Sequence, residues 1–279
     1  NPYRMASILR SAEEGDAEAY LELAEELEEK DPHYLSVIGT RKRAVSQLDI
    51  TVEAASDDPT DVANADLIQS WLNRDELDSE VFNILDAIGK GYSVTEIIWE
   101  TSENLWMPKE LKWRDPRWFA FDRDDGQTLR LREGASTVPL SPFKYIVHYH
   151  QAKSGLPIRS GVARPCVWMW MFKNFSIKDW VIFAEAYGQP VRVGKYGPGA
   201  TKEDREILLR AVANIGSDAA AIIPDSMVID FIEAQSKTGT ADVFQRLADF
   251  CDRQMSKAVL GQTTTADAIS GGHAVSKEH

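Results

Sequence analysis

Apolar positions along the chain change period twice, and the changes divide it into regions. Ala17, Tyr20, Ala24 and Leu27 recur every three or four residues and predict a helix with Asp16 as its cap. Asp31-Pro32 ends that helix and starts another, because proline suits a first helical turn. The second helix carries Leu35, Ile38, Val45 and Leu48 and is expected to expose Arg41-Lys42-Arg43. Leu48–Ala54 alternates and is β-branched, which reads as a strand. Asp57-Asp58-Pro59 then precedes a helix to about Asn73, and a further helix runs from about Glu80 to Ile88.

After the Gly89-Lys90-Gly91 turn the period becomes two. Tyr92–Glu100 is a strand rich in β-branched residues, and short strands follow at Glu110–Arg114, Trp118–Arg123, Leu129–Glu133 and Lys144–His150. The turns between them carry Asp-Pro, Asp-Asp-Gly and Ser-Pro. Five short strands predict one antiparallel sheet packed by the preceding helices, with Trp99, Trp106, Trp113 and Trp118 in the core. A Gly-bearing linker, Ser154–Gly161, leads to a long helix over Val162–Tyr187. That helix is apolar nearly all round between Trp168 and Phe175, so its own chain or neighbouring subunits must enclose it.

Beyond Gly188 and Pro190 the pattern gives a strand (Gln189–Tyr196) and a helix to Ile215 opened by a Thr201–Asp204 capping box. Two strands (Ala219–Pro224 and Met227–Ala234) pair about Asp225-Ser226, and a helix follows over Ala241–Leu260. Gly261–Gly272 is small and polar. The fold class is therefore α+β: a mixed helix and antiparallel-sheet body, then two long helices flanking a small α/β module.

Composition narrows the function. With 43% apolar residues, 279 residues suffice to bury a core, and 27% charged residues is ordinary for a globular chain. The chain opens on Asn1 and reads as a piece of a longer polypeptide, with no signal peptide at its start. The stretch Val167–Tyr187 is long enough to span a bilayer, but Lys173, Lys178, Asp179 and Glu185 argue against insertion and for no membrane role. Cys166 and Cys251 are too few for a disulfide framework, so a reducing setting is expected. The net charge of −13 argues against a tight DNA binder, whose affinity would come from cations on phosphates. Residues 1–30 hold nine acids against three bases, a solvated helix face or a surface for a basic partner.

Catalytic motifs fail one by one. Gly194, Gly197 and Gly199 precede a helix, but Gly199-Ala200-Thr201-Lys202 lacks the Gly-Lys-Ser/Thr order of a phosphate loop. His148 and His150 share one strand face and would fill two corners of a zinc site, with no third ligand evident. Asp57-Asp58 and Asp124-Asp125 sit in turns, where aspartate serves the backbone. No nucleophile elbow or catalytic cysteine signature occurs. The chain is therefore read as not an enzyme, with no metal and no cofactor. The alternatives are an α+β metal-dependent hydrolase using His148 and His150, and an acidic adaptor or scaffold protein acting through residues 1–30.

Three phrases carry a family likeness: FSIKDWVIFAEAYGQPVRVGKY (Phe175–Tyr196), DREILLRAVANIGSDAAAIIPDSMVIDFIE (Asp204–Glu233) and FCDRQMSKAVLGQTTTAD (Phe250–Asp267). DPHYLSVIGTRKRAV (Asp31–Val45) and AIGKGYSVTEIIWE (Ala87–Glu100) agree with them. Together they resemble the portal proteins of Mu-like phages and prophages, over nearly the whole chain. The resemblance implies a peripheral wing over residues 1–160, stem helices at 161–188 and 236–260, and a clip at 189–235. A tunnel loop at Gly261–Ala268 and the start of a crown, incomplete by 279, would follow.

It further implies a homo-oligomeric ring of about twelve subunits at one vertex of the virion capsid, assembled in the host cytoplasm. Implied partners are the large terminase, the head–tail connector, the major capsid and scaffold proteins, and double-stranded DNA held without sequence preference. Lys173, Lys178, Thr263, Thr264 and Thr265 would face the DNA channel. Arg192, Lys195, Tyr196, Lys202, Glu203 and Arg205 would face partners at the clip.

Overall fold

The computed structural model describes residues 1–102, 105–187, 191–214, 227–232 and 238–263. They fall into two compact units, Asn1–Phe172 with Phe250–His279, and Lys173–Asp249. The architecture is mixed helix and antiparallel sheet, as the sequence pattern predicts.

The first unit opens with α1 (Pro2–Glu13), which the sequence reading did not include; Met5, Leu9 and Ala12 are its buried stripe. Its presence turns Gly15-Asp16 into an interhelix corner. Asp16 therefore does not cap α2 (Glu18–Lys30), whose cap position, Ala17, makes no side-chain bond. The stripe of Ala17, Tyr20, Ala24 and Leu27 is buried as expected. Asp31 caps α3 (Pro32–Ser46) by accepting from the backbone N–H groups of His33 and Tyr34. The buried face of α3 is Tyr34, Val37, Ile38 and Lys42, so the expected stripe is corrected: Leu35, Val45 and Leu48 are exposed.

Leu48–Ala54 is not a strand. Val52 N donates to the Gln69 side chain and Ile50 O accepts from it, where a strand would pair with a neighbouring strand. Gln69 belongs to α4 (Pro59–Leu72), capped by Asp58 as the Asp-Pro signal predicts. The next helix is split into α5 (Leu77–Ile84) and α6 (Ala87–Lys90), ended by Gly91 in the left-handed region at φ 101°.

The strands form two three-stranded sheets rather than one. In the first, β1 (Tyr92–Glu100) lies between β2 (Met107–Arg114) and β6 (Tyr145–Tyr149). In the second, β4 (Leu129–Glu133) lies between β3 (Phe119–Phe121) and β5 (Ser136–Pro139). The division arises at Asp115-Pro116, where Asp115 accepts from Arg117 N and turns the chain out of the first sheet. The unpredicted β5 then gives β4 its second partner. Trp106 and Trp118 are exposed, at 68% and 52%, and Trp99 and Trp113 are half-buried, so the expectation of four core tryptophans is corrected.

Gly161 begins α7 (Ala163–Tyr187) at a site only glycine fits: an added Cβ would stand 2.3 Å from Gly89 O. Val162 N donates to Ile88 O there, joining the start of α7 to the end of α6. Cys166, Val167 and Met171 of α7 share the core with Tyr20, Tyr34, Tyr92, Phe119 and Phe121.

The second unit contains β7 (Val191–Tyr196), α8 (Lys202–Asn214) and β8 (Met227–Ile232), with β7 and β8 paired antiparallel. α9 (Thr238–Leu260) starts three residues before the expected Ala241 and ends where expected. The expected strand Ala219–Pro224 lies outside the described residues, as does the chain beyond Thr263.

Candidate subunit and DNA-channel surfaces

In the first unit two lysines are turned inward. Lys42 and Lys90 are both 3% exposed. Lys42 Nζ lies 2.8 Å from Glu28 and 3.6 Å from Asp86; Lys90 Nζ lies 2.7 Å from Asp86 and 3.0 Å from Glu25. Trp113 Nε1 also donates to Asp86 at 3.2 Å. Burial opposes the charge on Lys90, but Asp86 and Glu25 outweigh it and leave its pKa above the ordinary value. The expectation of an exposed Arg41-Lys42-Arg43 cluster is therefore corrected. The three side chains fan out: Lys42 goes inward, Arg41 donates to Val259 O at 2.8 Å, and Arg43 is exposed.

His148 and His150 do lie at the end of β6, where His148 is in register with Ser93 and His150 N donates to Gly91 O. Burial lowers both pKa values, with Arg41 and His148 adding to the effect on His150. Among the described residues no group of three or more His, Cys, Asp and Glu side chains could hold a metal ion. Cys166 and Cys251 are both buried, and burial pushes the Cys166 thiol up to about 12. Among the described residues no helix is long and apolar enough to cross a membrane.

The second unit exposes apolar surface. On α7, Phe175, Ile177, Val181 and Ile182 are 40–53% exposed. On α8 and α9, Leu209 is 69% and Val243 59% exposed. Ser176 donates to Phe244 O at 3.0 Å, Phe183 packs on Phe244 with centroids 5.9 Å apart, and Gly194 accommodates Leu208 and Val212.

The capping box at the start of α8 forms as predicted. Thr201 N and Oγ1 both donate to Asp204, and Asp204 N donates back to Thr201 Oγ1. These bonds hold the Asp204 carboxyl below its ordinary pKa. Lys202, Glu203 and Arg205 follow on the exposed first turn, and the Arg205 guanidinium lies 4.7 Å from the Tyr196 ring centroid. Tyr196, Lys202, Glu203 and Arg205 are thus gathered at one end of the unit. Lys195 is exposed on the opposite face of β7, because successive strand residues alternate. Arg192 is in register with Phe231.

Lys173 is half-buried and Lys178 exposed on α7. Five residues of helix separate them by roughly 140° of rotation, so they do not share a face. Thr263 is half-buried just after α9; Thr264 and Thr265 lie outside the described residues.

A family model described as the portal protein of Mu bacteriophage matches residues 21–279. The Mu-like prophage FluMu protein gp29 of Haemophilus influenzae (strain ATCC 51907 / DSM 11121 / KW20 / Rd) is 38% identical over 285 residues, covering 100% of this chain and 54% of its own length. The portal protein of Escherichia phage Mu is 36% identical over 274 residues, covering 97% and 53%. The chain thus spans about half the length of the curated relatives it matches. Its fold is shared with a chain from the neck of an empty GTA particle computed with C6 symmetry. That likeness has a TM-score of 0.62 at 10% identity and covers 90% of this chain and 72% of the other. On the family-model match over residues 21–279, which takes in both units, the chain belongs to the family of Mu bacteriophage portal proteins.

Proposed function

We propose that the chain is a subunit of a homo-oligomeric ring at one vertex of a phage capsid, through which double-stranded DNA enters and leaves the head. The observation that carries this reading is the exposed apolar face of α7, with Val181 at 53% and Ile182 at 51% in the single chain. A helix apolar on several faces needs cover. Family membership supplies the kind of cover: copies of the same chain, repeating one heterologous contact until it closes.

The role is structural rather than enzymatic. A conduit must let DNA slide, and a chain with 44 acids against 31 bases avoids the phosphate grip that would stall it. In this reading residues 1–160 are the wing, 161–188 and 236–260 the stem, 189–235 the clip, and the chain from 261 the tunnel loop. Terminase and the head–tail connector dock in turn on the clip end formed by Tyr196, Lys202, Glu203 and Arg205. Lys195, on the other face of β7, offers the clip a second surface, and the major capsid and scaffold proteins meet the wing.

Lys178 is the DNA-facing cation of α7, and Lys173, on another face, serves a neighbouring subunit. The test is packaging in phage that carry Lys178→Ala or Lys173→Ala. Lys178→Ala is expected to change packaged DNA length with ring assembly intact, and Lys173→Ala to weaken assembly. Normal heads from both variants would remove these lysines from the mechanism, and filled heads from phage lacking the protein altogether would overturn the reading itself.

A further inference from the structure

The ring reading leaves open which surfaces of the body meet, and two features of the first unit bear on it. The turn Ser141–Lys144 places Phe143 at φ 58°, in the left-handed region that a bulky side chain rarely adopts. Its ring is nevertheless 84% exposed. The conformation is held by neighbours: Trp99 Nε1 donates to Phe143 O at 2.9 Å, and Lys144 Nζ lies 3.3 Å from Glu96. Strain retained around a solvent-facing aromatic serves presentation, because burial inside the subunit gains nothing from it.

The second feature is a cleft of about 440 Å³ whose apolar lining is Leu35, Phe82 and Trp113, with Glu25, Glu28 and Glu29 around them. Leu35 is 50% exposed there. Four carboxylates, the three glutamates and Asp86, face two ammonium groups, Lys42 and Lys90, so the cleft keeps a negative surplus. An aromatic ring followed directly by a lysine complements such a cleft in both shape and charge.

We infer that Phe143 of one subunit seats in the Leu35–Phe82–Trp113 cleft of the next copy of this chain, with Lys144 bridging its own Glu96 and the rim glutamates. Knob and cleft are different surfaces, so the contact is heterologous and repeats around a ring, and the inference rests on the ring reading. Aromatic anchors in pockets carry a large share of interface energy.

The test uses Phe143→Gly, which removes the ring and suits the backbone, so the variant folds. Its melting temperature should equal or exceed that of the wild type under monomeric conditions. The concentration for half-assembly should rise by about tenfold or more. In parallel, Phe143→Cys combined with Leu35→Cys and a short bismaleimide should give a cross-linked ladder on a denaturing gel. Each single variant should give none, because Cys166 and Cys251 are 0% and 1% exposed. A wild-type ring with no ladder and with unchanged Phe143→Gly assembly overturns this contact alone. A wild-type protein that never forms a ring overturns this contact and the proposed function together.

Discussion

In the Asn1–Phe172 unit, Tyr20, Tyr34, Tyr92 and Phe119 are all less than 2% exposed, and even two lysines are buried among carboxylates. In Lys173–Asp249, the buried side chains among the described residues are Leu208 and Ser176, while Val181, Ile182, Leu209 and Val243 stand at 51–69% exposure. Both units draw on α7 and α9, so helix propensity does not separate them. The difference lies in where the apolar side chains find partners. The first unit buries its large aromatic core within one chain, with Phe143 and Leu35 left at its surface; the second leaves Val181, Ile182, Leu209 and Val243 exposed. In the proposed ring, one sequence carries a body packed within the single chain and a segment whose packing is completed on assembly.

The largest effect that sharpens this contrast belongs to Asp86. It is 6% exposed and is shared by Lys42, Lys90 and Trp113. Asp86→Ala leaves two buried ammonium groups short of a partner and should destabilise the first unit by about 3–5 kcal/mol in urea unfolding. A loss below about 1 kcal/mol would mean that the glutamates alone sustain the cluster.

A smaller effect comes from His148 and His150, at the end of β6. Burial lowers the pKa of His148 and His150, so the unfolded chain takes up protons first as pH falls below about 6.5. Stability of the first unit should be full above that pH and decline as pH falls through the lowered folded values. Replacing both with Gln should flatten that limb. Denaturant midpoints between about pH 7 and pH 5 would read it, and an equally steep decline in the variant would assign the acid sensitivity to other groups.

Much of the fold was legible in the sequence because local chemistry decides it. The boundaries of β1 and β4 follow from alternation and turns, α3 and α4 from Asp-Pro caps, and α8 from its Thr201–Asp204 box. What was not legible depends on partners distant in the chain. Lys42 looks like one of three surface cations until Glu28 and Asp86 are brought to it. Leu48–Ala54 has strand composition, but the Gln69 side chain bonds Val52 N and Ile50 O. The split of five expected strands into two sheets turns on Asp115 and on the unpredicted β5. For the surfaces, the capping box located the clustered end of the second unit. The rotation between Lys173 and Lys178 was readable from their spacing alone, yet the exposed face of α7 shows only when the rest of the chain is folded around it.

The most direct test of the central claim is the solution mass of the protein beside a variant carrying Val181→Asp and Ile182→Asp, with negative-stain images of each peak. Both positions are exposed in the single chain, so the variant should keep its monomer stability to within about 0.5 kcal/mol. The account predicts a closed ring with a central hole for the wild type. Its mass would be about 370 kDa if twelve copies of this 31.2 kDa chain assemble, and the variant would give single subunits. A wild-type protein that stays monomeric, or a double variant that still closes into the same ring, would contradict it.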